Sequence, residues 1–360
     1  MAQNFRLFMK SYAFLILSIL LMASMFPFAN MNSIDEQNSL LNQHSEMLSG
    51  SNPVIPLVNV SITNSSGFVL ASGFVHTCLS SPSSSQVTCF GKNTDGPLGN
   101  GLATSSAGYP TESISLGSNV IDIDVGTHKD QAGGFTCAVT EINELYCWGG
   151  NNAGQLGQGT EENSLVPLKV NVGNNLGVSK VSTGFDFACA IITDGTVKCW
   201  GYMNDGRIGN GNSGGQQLTP IPTNSLGVGR SAIDISSGYA HTCALLDDGS
   251  VVCWGYGANG RLGHGGTNPK FSPFPVSGIN ATNPTKQITA GYQHTCALMV
   301  NGTVQCWGSN AYGALGRVYS SQNAGINPLP QPVQGLENKN VVHIDAGYYT
   351  TCAVIDDGSA

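Results

Sequence analysis

The chain has 360 residues, a net charge of −8 and only 10% charged residues, against about 25% in an ordinary soluble domain. Its hydrophobic share of 41% is enough to build a core, which excludes a disordered chain. No basic run stands in the part expected to fold, which excludes non-specific nucleic-acid binding, because phosphate needs clustered Lys and Arg.

Reading from the N-terminus, Arg6 and Lys10 precede an apolar run from Tyr12 to Phe28, and the first acidic residues, Asp35 and Glu36, follow it. That order belongs to an export signal and places the rest of the chain outside the cell, secreted or at its surface. Residues 1–29 read as a signal peptide, with Ala29 the last residue removed. The alternative is an uncleaved anchor over 12–28, since about 17 apolar residues just span a thin bilayer. Residues 30–52 are polar, rich in Asn and Ser, and read as a linker.

Residues 53–72, PVIPLVNVSITNSSGFVLAS, read as two strands, and from there a repeat governs the chain. Cys137, Cys189, Cys243, Cys296 and Cys352 follow one another at 52, 54, 53 and 56 residues, and Cys78 opens the series 59 residues before Cys137. Trp148, Trp200, Trp254 and Trp307 keep the same beat, with Phe90 in the first copy. Each copy runs P-x-P-V, V-x-x-I-x-x-G, H-T-C-A-L, a turn, V-x-C-W-G and N-x-x-G-x-L-G. Short β-branched and aromatic runs separated by Gly, Pro and Asn are strands. Four per unit of about 50 residues make an all-β fold, a β-propeller of four-stranded blades. The copies fall at about 53–101, 102–159, 160–211, 212–265, 266–317 and, incomplete, 318–360.

Within each copy a hairpin is set by Asp194-Gly195, Asp248-Gly249, Asn301-Gly302 or Asp357-Gly358, with glycine supplying the positive φ. Asn143 stands in for glycine in the second copy. Counting outward from Asp248 opposes Leu245 to Val251 and Cys243 to Cys253. Opposed residues have Cβ atoms about 4.5–5.5 Å apart, and a disulfide needs about 3.8 Å. Five such pairs arise: Cys78–Cys89, Cys137–Cys147, Cys189–Cys199, Cys243–Cys253 and Cys296–Cys306. Buried free thiols and a metal site compete with disulfides here. Close C-x-x-C pairs are absent, which weighs against metal, and export into an oxidising compartment favours bridges.

H-T-C-A-L, the turn, V-x-C-W-G and N-x-x-G-x-L-G together resemble the repeat of the regulator of chromosome condensation family, over residues of about 53–360. The resemblance implies a propeller of seven blades when complete, with glycines allowing close packing between blades. Five full blades and part of a sixth are present. The chain stops just after the sixth hairpin turn, before a partner for Cys352 at about position 362, and so reads as incomplete. The family's founding role is nucleotide exchange on a small GTPase, carried by loops and an inserted wedge for which copies this short leave no room. Secreted bacterial or archaeal-type members, among them a protein inhibitor of β-lactamases, are binders.

The remaining polar residues have structural readings. His76, His241 and His294 recur at one position per copy, so they spread around a ring and cannot share a metal. Asp122, Asp124, Asp234 and Asp345 sit near strand starts with no specified facing partner for acid–base work. Asn59, Asn64, Asn280 and Asn301 lie in N-x-[ST] sequons. No cofactor is called for. Recognition belongs to loops, here the variable segments 102–109, 160–166, 212–219, 266–272 and 318–330. Tyr202, Tyr256 and Tyr312, with Phe271, are the aromatic anchor candidates. Taken together, the sequence reads as an exported, non-enzymatic propeller that presents loops to a protein or glycan. The competing readings are an exchange regulator and an enzyme using the propeller's pocket.

Overall fold

A computed structural model describes residues 68–360, except 82, 105, 111–112, 128–132 and 319–324. The expectations for the export segment, the linker and the strands over 53–67 fall outside the described residues. Among the described residues six antiparallel sheets follow one another: blade 1 over 69–115, blade 2 over 120–169, blade 3 over 178–222, blade 4 over 232–275, blade 5 over 285–332 and blade 6 over 341–355. Blades 2 to 5 each have four strands in sequential order; blade 1 has its fourth position split between two short strands, and blade 6 has two described strands. Besides strands, the described residues hold only single 3-10 turns, at Asn204–Gly206, Ala258–Gly260 and Ala311–Gly313.

The first strands of consecutive blades pack on one another, so they form the inner wall, and the fourth strands lie outermost. This corrects the frame of the repeat. The Pro-rich strand that opens each sequence copy is hydrogen-bonded as the last strand of the preceding blade, as Gln216–Pro222 is to Val197–Tyr202. Proline lacks a donor and suits an edge strand. The sequence copies and the sheets are therefore offset by one strand. The same correction shortens the variable loops, because Ser164, Gln216, Lys270 and Asn327 already begin fourth strands. Residues 69–72 are the innermost strand of blade 1 and not its second.

The hairpins have the expected register, with Cys243 opposite Cys253 and Leu245 opposite Val251. Gly249 has φ 80° and Asn143 has φ 62°. The Asp248 carboxylate accepts the Ser250 N–H at 3.0 Å, locking the turn. The five cysteine pairs are bridged, with Cα atoms 4.0–4.2 Å apart. Cys352 is free, and burial raises its thiol to about 11.

Each hydrophobic cluster draws on two consecutive blades, so the core lies in the seams between sheets. Tryptophan is the wedge. Trp148, Trp200, Trp254 and Trp307 are fully buried, and each indole N–H donates to a carbonyl of the preceding blade: Pro97, Gln155, Arg207 and Arg261, at 2.8–3.0 Å. The glycine of L-G lies directly on that indole. At Gly209, with φ +74°, a Cβ would stand 2.8 Å from Trp254 Nε1.

Candidate functional site

The inner wall accounts for the acids first. Asp122 Oδ2 accepts the Val181 N–H of the next blade at 2.8 Å, and Asp124 Oδ2 accepts that of Thr183 at 2.7 Å. The same step is repeated by Ser182 to Ser237 N, Ser236 to Ala290 N and Thr289 to Ala346 N, each at 2.9 Å. Asp234 pairs with Lys180 and reaches Ile288 N. These side chains are rails that hold one blade's inner strand to the next. Burial raises the Asp122 carboxyl and brings Asp124 to about 6.

The histidines do the same one layer out. His76 Nε2 pairs with Thr136 Oγ1 at 2.8 Å, and His241 and His294 pair with Thr295 and Thr351 at 2.9 Å. All three bonds cross a seam. Burial holds His76 down to about 3 and His294 to about 4, and places His241 well below the usual range. Neutral histidines spread over three seams have no acid–base task. No group of three His, Cys, Asp or Glu among the described residues could hold a metal ion.

What remains is aromatic. In every blade but the second, where Thr127 follows Gly126, the glycine closing the inner strand is followed by a ring: Gly73-Phe74, Gly184-Phe185, Gly238-Tyr239, Gly291-Tyr292 and Gly347-Tyr348. These turns join first and second strands, so the rings meet at one end of the propeller. Centroid distances are 4.6 Å for Phe185–Tyr239, 4.5 Å for Tyr239–Tyr292, 4.0 Å for Tyr292–Tyr348 and 5.5 Å for Phe74–Tyr348. Rings from blades 1, 3, 4, 5 and 6 thus form one half-buried patch. Burial raises the hydroxyls of Tyr239 and Tyr348, with Tyr292 adding to both, so these two stay protonated.

The loops between third and fourth strands emerge at the same end. Arg207 Nη1 donates to Phe185 O and Arg261 Nη1 to Tyr292 O, both at 3.1 Å. The anchor candidates are distributed around this face. Tyr202 and Tyr256 lie on the guanidinium groups of Arg207 and Arg261, at 4.9 and 5.1 Å. Tyr312, 57% exposed, has its ring 5.0 Å from that of Tyr349. Phe271 lies apart from them, on an outer strand, where it covers Gly206 of the preceding blade; a Cβ there would be 2.4 Å from its ring. Phe271 has a packing role even though it is 41% exposed. The sequence reading passed over the axial rings and the two arginines. The recurring Gly-aromatic dipeptide was the legible signal.

The comparisons agree with this architecture. The model of the RCC1-like domain matches residues 40–360. Human E3 ubiquitin-protein ligase HERC2 is 30% identical over 275 residues, 76% of this chain and 6% of that protein. The Ultraviolet-B receptor UVR8 of Arabidopsis thaliana is 30% identical over 219 residues, 61% of this chain and 48% of the receptor. The chain therefore spans at most about half the length of these relatives. Among solved structures, human WBSCR16 superposes with a TM-score of 0.69 at 21% identity, covering 80% of this chain and 72% of that one. Yeast RCC1 (Prp20), solved with Kap60 bound to it, gives 0.66 at 20% identity, covering 82% and 69%. At these identities the likeness carries the fold, whereas the family model runs through every blade: this protein belongs to the RCC1-like domain family.

Proposed function

We propose that this protein is an exported, non-enzymatic propeller of the secreted type, which docks a partner protein on its aromatic face. One observation carries the reading: rings from five blades converge at the end where the Tyr202, Tyr256 and Tyr312 loops emerge. Half-buried tyrosines beside arginine are the residue types that anchor protein interfaces. The remaining repeated polar groups are occupied in rails and turns, which leaves none over for chemistry. Protein binding by this fold has a precedent in yeast RCC1, whose complex with Kap60 is solved. Export rests on Arg6, Lys10 and the apolar run to Phe28.

The test is capture from native extracts by the full chain, compared with the Tyr202→Ala, Tyr256→Ala, Tyr312→Ala triple variant. The variant should retain its circular dichroism and lose the captured protein. Capture that survives the substitutions would sink the reading. A captured small GTPase, with exchange stimulated, would replace it by the regulatory one, and a captured glycan would change the partner class. N-terminal sequencing of the extracellular product tests export.

A further inference from the structure

Two loops on the aromatic face are near copies of each other: Asn204-Asp205-Gly206-Arg207 in blade 3 and Ala258-Asn259-Gly260-Arg261 in blade 4. Asp205 and Asn259 hold the same left-handed turn, φ 63° and 62°. Both arginines are buried, at 4% and 1% exposure, and each donates its Nε to a carbonyl of its own loop. The difference is electrostatic. Arg207 Nη2 meets Asp205 Oδ2 at 3.0 Å. Asn259 carries no charge, and no carboxylate forms an ion pair with Arg261 among the described residues.

Arg261 is surrounded by phenols. Its guanidinium lies 5.1 Å from the Tyr256 ring centroid, and its Nη1 donates to Tyr292 O. Tyr349 packs against both Tyr292 and Tyr312, at 5.6 and 5.0 Å. Burial brings the guanidinium down to about 10, and the groups opposing that shift are Tyr256, Tyr292, Tyr239 and, last, Asp205. A buried guanidinium without its own counter-charge is destabilising. The sibling loop removes that penalty with one residue, and this loop does not. Tyr312 points the same way. At the position equivalent to Asp205 and Asn259 it holds φ 59°, a conformation that is an outlier for a bulky residue. Departures of this kind gather at functional sites.

On the reading of this face as the docking surface, we propose that Arg261 receives one carboxylate of the partner, from an acidic peptide segment, in a socket walled by Tyr256, Tyr292 and Tyr349. With Nε and Nη1 engaged by Ala258 O and Tyr292 O, the Nη2 group has no hydrogen-bond partner among the described residues, and a carboxylate would supply a charge-assisted one. The aromatic walls would hold the apolar neighbours of the acidic residue.

The probe is phenylacetate, titrated against the full chain by tyrosine fluorescence, with phenylacetamide as its neutral twin. The acid is expected to bind about tenfold more tightly than the amide, the worth of a charge-assisted hydrogen bond. Asn259→Asp supplies the counter-charge from the position Asp205 occupies in blade 3; it gives up the Asn259 Nδ2 bond to Gln293 Oε1, which the Gln293 amide restores by turning its NH2 to the new carboxylate, and it should abolish that preference. Should Asn259→Asp not fold, Arg261→Gln removes the charge without adding one and is expected to give the same loss. Equal binding of acid and amide, or a preference that survives these variants, overturns the proposal. The two readings fail separately. Capture that survives every tyrosine substitution sinks the docking face. Capture lost with the tyrosines but indifferent to Asn259→Asp sinks the carboxylate alone.

Discussion

Acidification should loosen the seams through the histidines before it affects the hairpins. His76, His241 and His294 are neutral in the fold, with values of about 3 for His76 and about 4 for His294. An unfolded histidine titrates at about 6.5. A folded value depressed below the unfolded one means stability is fully present above pH 6.5. It is lost as pH falls from there toward the folded values, because the unfolded chain binds the proton first. At pH 5 the deficit is about 2 kcal/mol for each of His76 and His294, and His241 acts in the same direction. Asp124, raised to about 6, works the other way, and regains about 1 kcal/mol between pH 7 and pH 5; Asp122 is raised as well. The net loss from the groups with values is about 2–3 kcal/mol, or about 5 °C in melting temperature for a chain of this size. Thermal melts at pH 7 and pH 5 read it directly. The sharper test copies blades 2 and 3, where Phe135 and Ala188 share one seam. His294→Phe with Thr351→Ala should reduce the pH slope by one histidine's worth. Thr351 also donates to Ala314 O, so the level of stability drops and the slope is the readout. An unchanged slope in the double variant would refute the reasoning.

Three other outcomes follow from the seams and hairpins. Trp254→Phe removes the indole bond to Arg207 O and part of the wedge, and should cost about 2 kcal/mol in denaturant unfolding; a neutral result would mean the wedge is not structural. Gly209→Ala sets a Cβ against Trp254 at φ +74°, and is expected to cost about 2 kcal/mol or more, measured the same way, whereas Gly101→Ala, with no atom within 4 Å of its Cβ, should show only the smaller backbone cost. Non-reducing peptide mapping of exported protein should recover the five hairpin bridges, and the Cys243→Ala, Cys253→Ala double variant should lose about 2–3 kcal/mol; free thiols at most sites, or links between blades, would contradict the pairing.

The sequence by itself determined whatever is local. Cysteines ten or eleven residues apart around a short turn are opposed across a hairpin, so the register of the second and third strands followed from counting. The recurrence of that unit with tryptophan set the blade number and the all-β class, because each blade is built from contiguous chain. Tertiary structure decided what passes between repeats. The Pro-rich strand belongs to the preceding sheet because an edge without its N–H donors can close only the outer side of a blade. Asp122, Asp124 and the histidines had structural readings in the sequence but no identifiable partners, and the fold supplies them from the next blade's amides and threonines, more than 50 residues away. The aromatic face was written in every blade but the second, which has Gly126-Thr127, as a glycine followed by a ring. That the rings meet depends on closing the strands around an axis. No spacing along the chain encodes a distance across that axis, because residues facing each other there are related by the rotation between blades and not by local backbone geometry.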